Sequence, residues 1–155
     1  MIIRRNLLPA ALALLAAPAI AQRRETAEVW RDPGCGCCGG WVDHLRAEGF
    51  AVTDRVVPSV APFRRMLGTP ADLLSCHAAR VAGWLAIEGH VPAPVIRRAL
   101  AERPAGLLGL AVPEMPIGTP GMEVPGRAPD TYDVIAWHAD GSHRPFMRFT
   151  GAQPV

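Results

Sequence analysis

The chain has no lysine: all 16 of its basic residues are arginine. Together with its many alanines and its 16 prolines, this reads as compositional bias and carries no function. Aromatic residues make up only 6% of the chain, and no arginine-rich patch with interleaved aromatics occurs. A nucleic-acid role therefore has no electrostatic basis. No apolar run is long enough to span a bilayer, so the sequence predicts no stable membrane anchor. Internal repeats are absent, and no linker is long enough to divide the chain.

What is there begins with an export signal. Met1-Ile-Ile-Arg4-Arg5 precedes an apolar run from Leu7 to Ala17, and Ala19-Ile20-Ala21 supplies a small-x-small cleavage pattern before Gln22. These are the three regions of a secretory signal peptide over residues 1–21, with cleavage after Ala21. The paired arginines leave open whether export uses the general or the twin-arginine route. Removal of the signal takes Arg4 and Arg5 with it, so 16 basic residues less two leaves 14, against 14 acidic ones. The mature chain, residues 22–155, is close to neutral and of a size for one domain with one core.

Along that chain, strand and helix patterns alternate. Ala27–Arg31 reads as a strand and Asp32-Pro33-Gly34 as a turn, followed at once by cysteines. From Gly39 the apolar spacing of Trp41, Val42 and Leu45 predicts a helix that stops near Gly49. Phe50–Val57 reads as a second strand, and Ser59 as the cap of a short helix through Phe63, Met66 and Leu67. Ala78–Val81 and Trp84–Ile87 form a predicted hairpin, with Cys76-His77 just before it. Pro92 opens a helix carrying Val95, Ile96, Ala99 and Leu100. Residues 109–130, with five prolines and four glycines, read as a long loop, ordered or partly loose. Tyr132–His138 and Arg144–Phe149 read as a final hairpin. This order matches an α/β, thioredoxin-like plan: a central mixed sheet with flanking helices and a long Pro/Gly-rich loop.

Chemistry is concentrated in "DPGCGCCGGW", where Cys35, Cys37 and Cys38 crowd three of the four cysteines. At a helix N-terminus, free N–H groups and the positive dipole end favour thiolate, which serves equally as nucleophile and as metal ligand. Three features favour metal. Cys37 is surplus to a redox pair. Cys76 and His77 occupy the place, facing the dithiol, where exchange catalysts of this plan carry a proline. Met115 and Met122 lie seven apart in a proline-stiffened loop. Thiolate, imidazole and thioether together are a soft donor set that suits Cu(I). Zinc on Cys35, Cys38, Cys76 and His77 is the runner-up, and it leaves Cys37 and both methionines unexplained. A structural disulfide with a stray thiol is the plain alternative for the cysteine cluster.

The other candidates have ordinary readings. Methionine is more often core filler than ligand, but Met115 and Met122 lie in a Pro/Gly loop without helical or strand periodicity, which puts the two readings level. His90 reads as a solvated turn residue before it reads as an outer ligand, and His44 reads as a surface residue. His138 and His143 show no ligand spacing. Trp30, Trp41, Trp84 and Trp137 are expected in the core.

"CGCCGGWVDHLRAEGF", "SCHAARVAGWLAIEGHVP" and "GLAVPEMPIGTPGM" resemble the three signature segments of a small exported bacterial family long described only as a domain of unknown function. The family includes the CopG-type copper-resistance proteins. The resemblance runs from about Val29 to Phe149. It implies a thioredoxin-like fold, a periplasmic location, copper binding through the cysteine turn, a role in copper tolerance, and a proposed interconversion of Cu(I) and Cu(II). Periplasmic copper-handling proteins would be its partners. Two positions depart from the family pattern: Glu114 stands where glycine is usual before the first loop methionine, and Ala78 stands where threonine is usual after Ser-Cys-His.

The crowding also bears on stoichiometry. Consecutive helical side chains diverge by about a hundred degrees, so three thiolates in one turn do not converge easily on one small ion. Bridging sulfurs would hold several Cu(I) ions, giving the expectation of more than one copper per chain. Without metal in an oxidising compartment, Cys35 and Cys38 are expected to form a disulfide. The alternatives to a copper-binding protein are a thiol–disulfide oxidoreductase and a zinc-stabilised structural module.

Overall fold

The computed structural model describes residues 24–155, and the expected signal peptide lies outside the described residues. Strand β1 (Thr26–Arg31) leads into helix α1 (Gly36–Ala47), strand β2 (Ala51–Val56) and helix α2 (Ala61–Leu67). A single 3₁₀ turn (Ala71–Leu73) precedes the hairpin of β3 (His77–Val81) and β4 (Leu85–Glu88). Helix α3 (Ala93–Glu102), β5 (Leu107–Ala111), β6 (Thr131–His138), β7 (His143–Thr150) and β8 (Gln153–Pro154) complete the chain. The eight strands form one mixed sheet in the order β2-β1-β3-β4-β5-β6-β7-β8. Within it, β1–β2 and β4–β5 are parallel and the other neighbours antiparallel. The α/β class, the central mixed sheet and the flanking helices are those expected. No helix among the described residues is long and apolar enough to cross a membrane.

Strand periodicity sorts the side chains into two layers. Ala27 and Val29 of β1, Ala79 and Val81 of β3, and Leu85 and Ile87 of β4 share a core with Trp41, Val42 and Leu45 of α1 and Val95, Ile96 and Ala99 of α3. The alternate residues face the other way: Trp30 and Ala78 pack with Val60 and Phe63 around α2. Trp30 stacks on Phe63 with ring centroids 4.7 Å apart. Helices α1 and α3 therefore cover one face of the sheet and α2 the other.

Several expectations shift. Helix α1 starts three residues before Gly39, so Cys37 and Cys38 belong to its first turn and Cys35 is its N-cap. That turn carries glycine and cysteine in place of an apolar stripe, which hides it from periodicity. Ser59 does not cap α2: Val60 holds the cap position, and the Ser59 hydroxyl accepts from Ala61 N–H at 3.3 Å. Leu107–Ala111 is a strand, buried except at Leu108, whose second half runs into the stretch 109–130 read as a loop, hidden by the glycine that lets Trp137 pack over Gly109. Strand β8 was not expected. Trp84 sits half-buried in the β3–β4 turn, with the Arg103 guanidinium 5.8 Å over its ring, while Trp30, Trp41 and Trp137 are buried as expected.

The remaining Pro/Gly-rich segment is an ordered loop. Gly118 N–H donates to the Met122 carbonyl, Met122 N–H to Thr119, and Asp130 N–H to Ile117. Gly121, at φ 85°, lies so close to α1 that a Cβ on Gly40 would come 2.9 Å from the Gly121 Cα. Two glycines in contact let the loop backbone cross α1 just past its first turn.

Candidate metal centre

Antiparallel pairing decides where the distal cysteine goes. Arg31 at the end of β1 pairs with His77 at the start of β3. The cysteine turn springs from the end of β1, so Cys76 arrives beside it. The sulfurs of Cys35, Cys37, Cys38 and Cys76 all lie within 4.8 Å of one another. Cys35 and Cys38 are joined as a disulfide, with Cα atoms 5.5 Å apart, and Cys37 and Cys76 are free. Cys37 Sγ is 3.7 Å from Cys35 Sγ. The first turn of α1 has no acidic residue and no side-chain cap, so the free N–H groups and positive dipole end of the helix belong to the same turn that carries these cysteines.

The imidazole side of the site is buried. Cys76 Sγ lies 3.3 Å from His77 Nδ1. The His77 ring, with no exposed surface, packs on Trp41 at 4.4 Å and against the edge of His90 at 5.0 Å. Donor atoms of Cys76, His77 and His90 again fall within 4.8 Å of one another. His90 is equally buried, and its Nδ1 is 2.7 Å from the Pro120 carbonyl. A carbonyl only accepts, so His90 Nδ1 carries the proton and Nε2 presents its lone pair. The Nε2 atoms of both His77 and His90 are buried without a partner. Such atoms are costly to leave unpaired, and a metal ion would satisfy them.

Electrostatics keep these donors ready and uncharged. Burial, with help from His90, Arg64 and Arg31, pushes the His77 pKa well below the ordinary value. Burial also lowers that of His90. The Cys76 thiol is pushed up to about 12, first by burial and then by its neighbour Cys37. Binding a cation there would displace the thiol proton, because the thiolate is the ligand.

The two methionines lie on the crossing loop. Met115 is half exposed and lines a cavity of about 340 Å³ together with Ser75, Cys76 and Glu114. Met122 follows Gly121, which is pressed on Gly40 and Trp41 beside the cysteines. Glu114 has φ 62°, a left-handed conformation that favours glycine, the residue expected there from the family pattern. Its carbonyl accepts the Ser75 hydroxyl.

Two readings of the histidines change. His90, taken as a solvated turn residue, is fully buried beside His77. Its sequence signals are its place in "EGHVP", just after a buried strand, and in the signature segment that begins at Ser75. His44 is half-buried, and its Nε2 accepts Ala93 N–H at 3.1 Å, at the start of α3. Elsewhere, His143 Nδ1 lies 3.3 Å from Asp72 Oδ2, and His138 is buried near Arg144. Neither joins the cysteines.

Comparison with known proteins agrees with this chemistry. A family model described as "Protein of unknown function, DUF411" matches residues 73–122, the span that carries Cys76, His77, His90 and both loop methionines. No curated protein matches the chain. Two solved structures do. "Copper resistance protein copG- Form 2" is 38% identical, with a TM-score of 0.75, and the match covers 82% of this chain and 99% of the other. "Copper resistance protein copG- Form 1" is 40% identical, with a TM-score of 0.74, covering 81% and 98%. The chain belongs to the CopG copper-resistance family.

Proposed function

We propose that this protein binds Cu(I) in the periplasm, more than one ion per chain, and serves copper resistance. The observation that carries the reading is the convergence of four cysteine sulfurs with two buried imidazoles whose Nε2 atoms have no other partner. Cys35, Cys37, Cys38, Cys76 and His77 are the proposed ligands, with Met115 and Met122 as thioether donors from the crossing loop. His90 joins them on its burial and its free lone pair. Sulfur and imidazole donors suit Cu(I), and four sulfurs so close together suit bridging between ions better than a single centre.

The β1–α1–β2–α2–β3–β4–α3 portion supports the thioredoxin-like reading, with its strand order β2-β1-β3-β4 and β3 alone antiparallel to its neighbours. The Cys35–Cys38 disulfide makes copper loading depend on reduction, since a disulfide offers no thiolate. That dependence is what favours a role in cycling copper between Cu(I) and Cu(II). The same disulfide favours thiol–disulfide exchange as the second reading, which an insulin-reduction assay separates from the first.

Anaerobic titration of the reduced mature protein with Cu(I), followed by metal analysis, tests the proposal. Saturation above one equivalent is expected. Saturation at one equivalent removes the multi-ion centre, and no uptake removes copper binding altogether.

A further inference from the structure

Glu88, at the end of β4, is a carboxylate with no exposed surface. By strand alternation it points to the α2 face, where Arg64 meets it. Arg64 Nε lies 3.0 and 3.1 Å from the two carboxylate oxygens, and Nη2 lies 2.7 Å from Oε1. A buried ion pair of this kind adds little net stability over apolar packing. This one also grips a backbone. Arg64 Nη2 donates to the Ser75 carbonyl at 2.6 Å, and Ser75 N–H donates to Glu88 Oε1 at 2.8 Å. The Ser75 hydroxyl donates to the Glu114 carbonyl. Behind Ser75 lies Gly89, at φ 71°, where a Cβ would come 2.6 Å from both Ser75 Oγ and the Val112 carbonyl.

The residue so held is the one before Cys76. The β3 ladder begins only at His77, so Ser75 and Cys76 lie outside the strand pairing that fixes the rest of the hairpin. Their placement comes from the clamp. We infer that Arg64 and Glu88 are positioning residues, which hold Ser75 and through it the Cys76 sulfur against the cysteine turn of α1. The inference rests on the copper-binding reading and extends it to two side chains that are not ligands. The clamp is also directional. Arg64 forks between a carboxylate and a carbonyl, a geometry that the single ammonium of lysine cannot copy.

Two variants of the full mature chain test it: Arg64→Lys, which keeps the buried charge paired, and the double variant Arg64→Gln/Glu88→Gln, which removes both charges together. Ile96→Val, in the core under α3 and away from the site, serves as a stability control. In competition with a Cu(I) chelator, both clamp variants are expected to bind about 10- to 100-fold more weakly than wild type, the cost typical of losing a partner that orients a ligand. Ile96→Val should keep wild-type affinity while its melting temperature falls. In the metal-free, disulfide-bonded protein, mass-mapped alkylation of Cys76 should become faster in the clamp variants, with Cys37 unchanged. Wild-type affinity and an unchanged Cys76 alkylation rate in a folded clamp variant would overturn the inference. Equal affinity losses in the clamp variants and the control would overturn it as well. If the double variant does not fold, Arg64→Lys decides by the same criteria. If the wild-type protein takes up no copper, the functional reading fails, while the alkylation rates still decide whether the clamp positions Cys76.

Discussion

At the scale of single residues, Cys76 and His44 make the sharpest contrast. Cys76 brings the only sulfur in the cluster from a second segment of chain, within 4.8 Å of the other three. Cys76→Ser should weaken Cu(I) binding by more than the roughly 10- to 100-fold that loss of an outer partner costs. The His44 side chain accepts the Ala93 N–H at the start of α3. His44→Ala should therefore leave copper affinity unchanged and lower stability by about 0.5–2 kcal/mol, as loss of a helix-end acceptor does. Chelator competition and thermal melting read the two effects separately, and equal affinity losses would mean that the site is wrongly placed. His77 and His90 carry a second prediction. Both have pKa values pushed below the ordinary 6.5, mainly by burial. Below that value the unfolded chain binds protons that the native one does not, so stability falls as pH falls. Metal-free protein should keep this contribution above about pH 6.5 and melt at progressively lower temperature toward about pH 5. Replacing His77 by Phe should flatten that dependence, and a melting temperature independent of pH over this range would contradict the assignment.

At the scale of elements, one helix end and one loop build the site between them. The first turn of α1 carries Cys37 and Cys38 at an uncapped helix end, and the loop after β5 crosses the helix just past it, where Gly121 meets Gly40. Neither glycine has room for a Cβ, so the contact is backbone on backbone. The same loop sends the Pro120 carbonyl to His90, which fixes the tautomer that frees Nε2. Backbone groups of the loop and the helix end thus orient the site whose candidate donors the same two segments also carry. This work was hidden in the sequence. A helix turn made of Gly-Cys-Cys-Gly-Gly has no apolar period, and a strand such as Leu107–Ala111, with a glycine under Trp137, merges into the proline-rich stretch that follows.

At the scale of the whole molecule, the disulfide state and the proposed export signal belong to one experiment. Cys35 and Cys38 are joined, and Cys37 and Cys76 are free. Metal-free protein recovered from the periplasm should begin at Gln22, with the mass expected after cleavage behind Ala21, and should titrate two free thiols. Four free thiols would contradict the oxidised resting state, and an uncleaved mass would contradict the signal assignment. Eight strands in one sheet with helices on both faces give this site a rigid base: three of the buried walls around it, Trp41, His77 and His90, come from a helix, a strand and a strand-to-helix link.

The sequence by itself determined the donor chemistry, since three crowded cysteines, a Cys-His step and two loop methionines are local facts. It also determined most of the elements, because apolar spacing along Trp41–Leu45, Ala78–Ile87 and Val95–Leu100 reports burial directly. The order of elements already set Cys76 and His77 opposite the dithiol, and the tertiary structure decided how they meet it and what else joins them. The pairing of Arg31 with His77 carries Cys76 to the cysteine turn. Burial against His77 and Pro120 turns His90 from a loop residue into a member of the site. The Glu88–Arg64 clamp on Ser75 is likewise invisible along the chain, where its members stand 24 and 11 positions apart. Convergence of this kind depends on strand register and on which face each side chain takes, and both are set by the packing of the whole sheet.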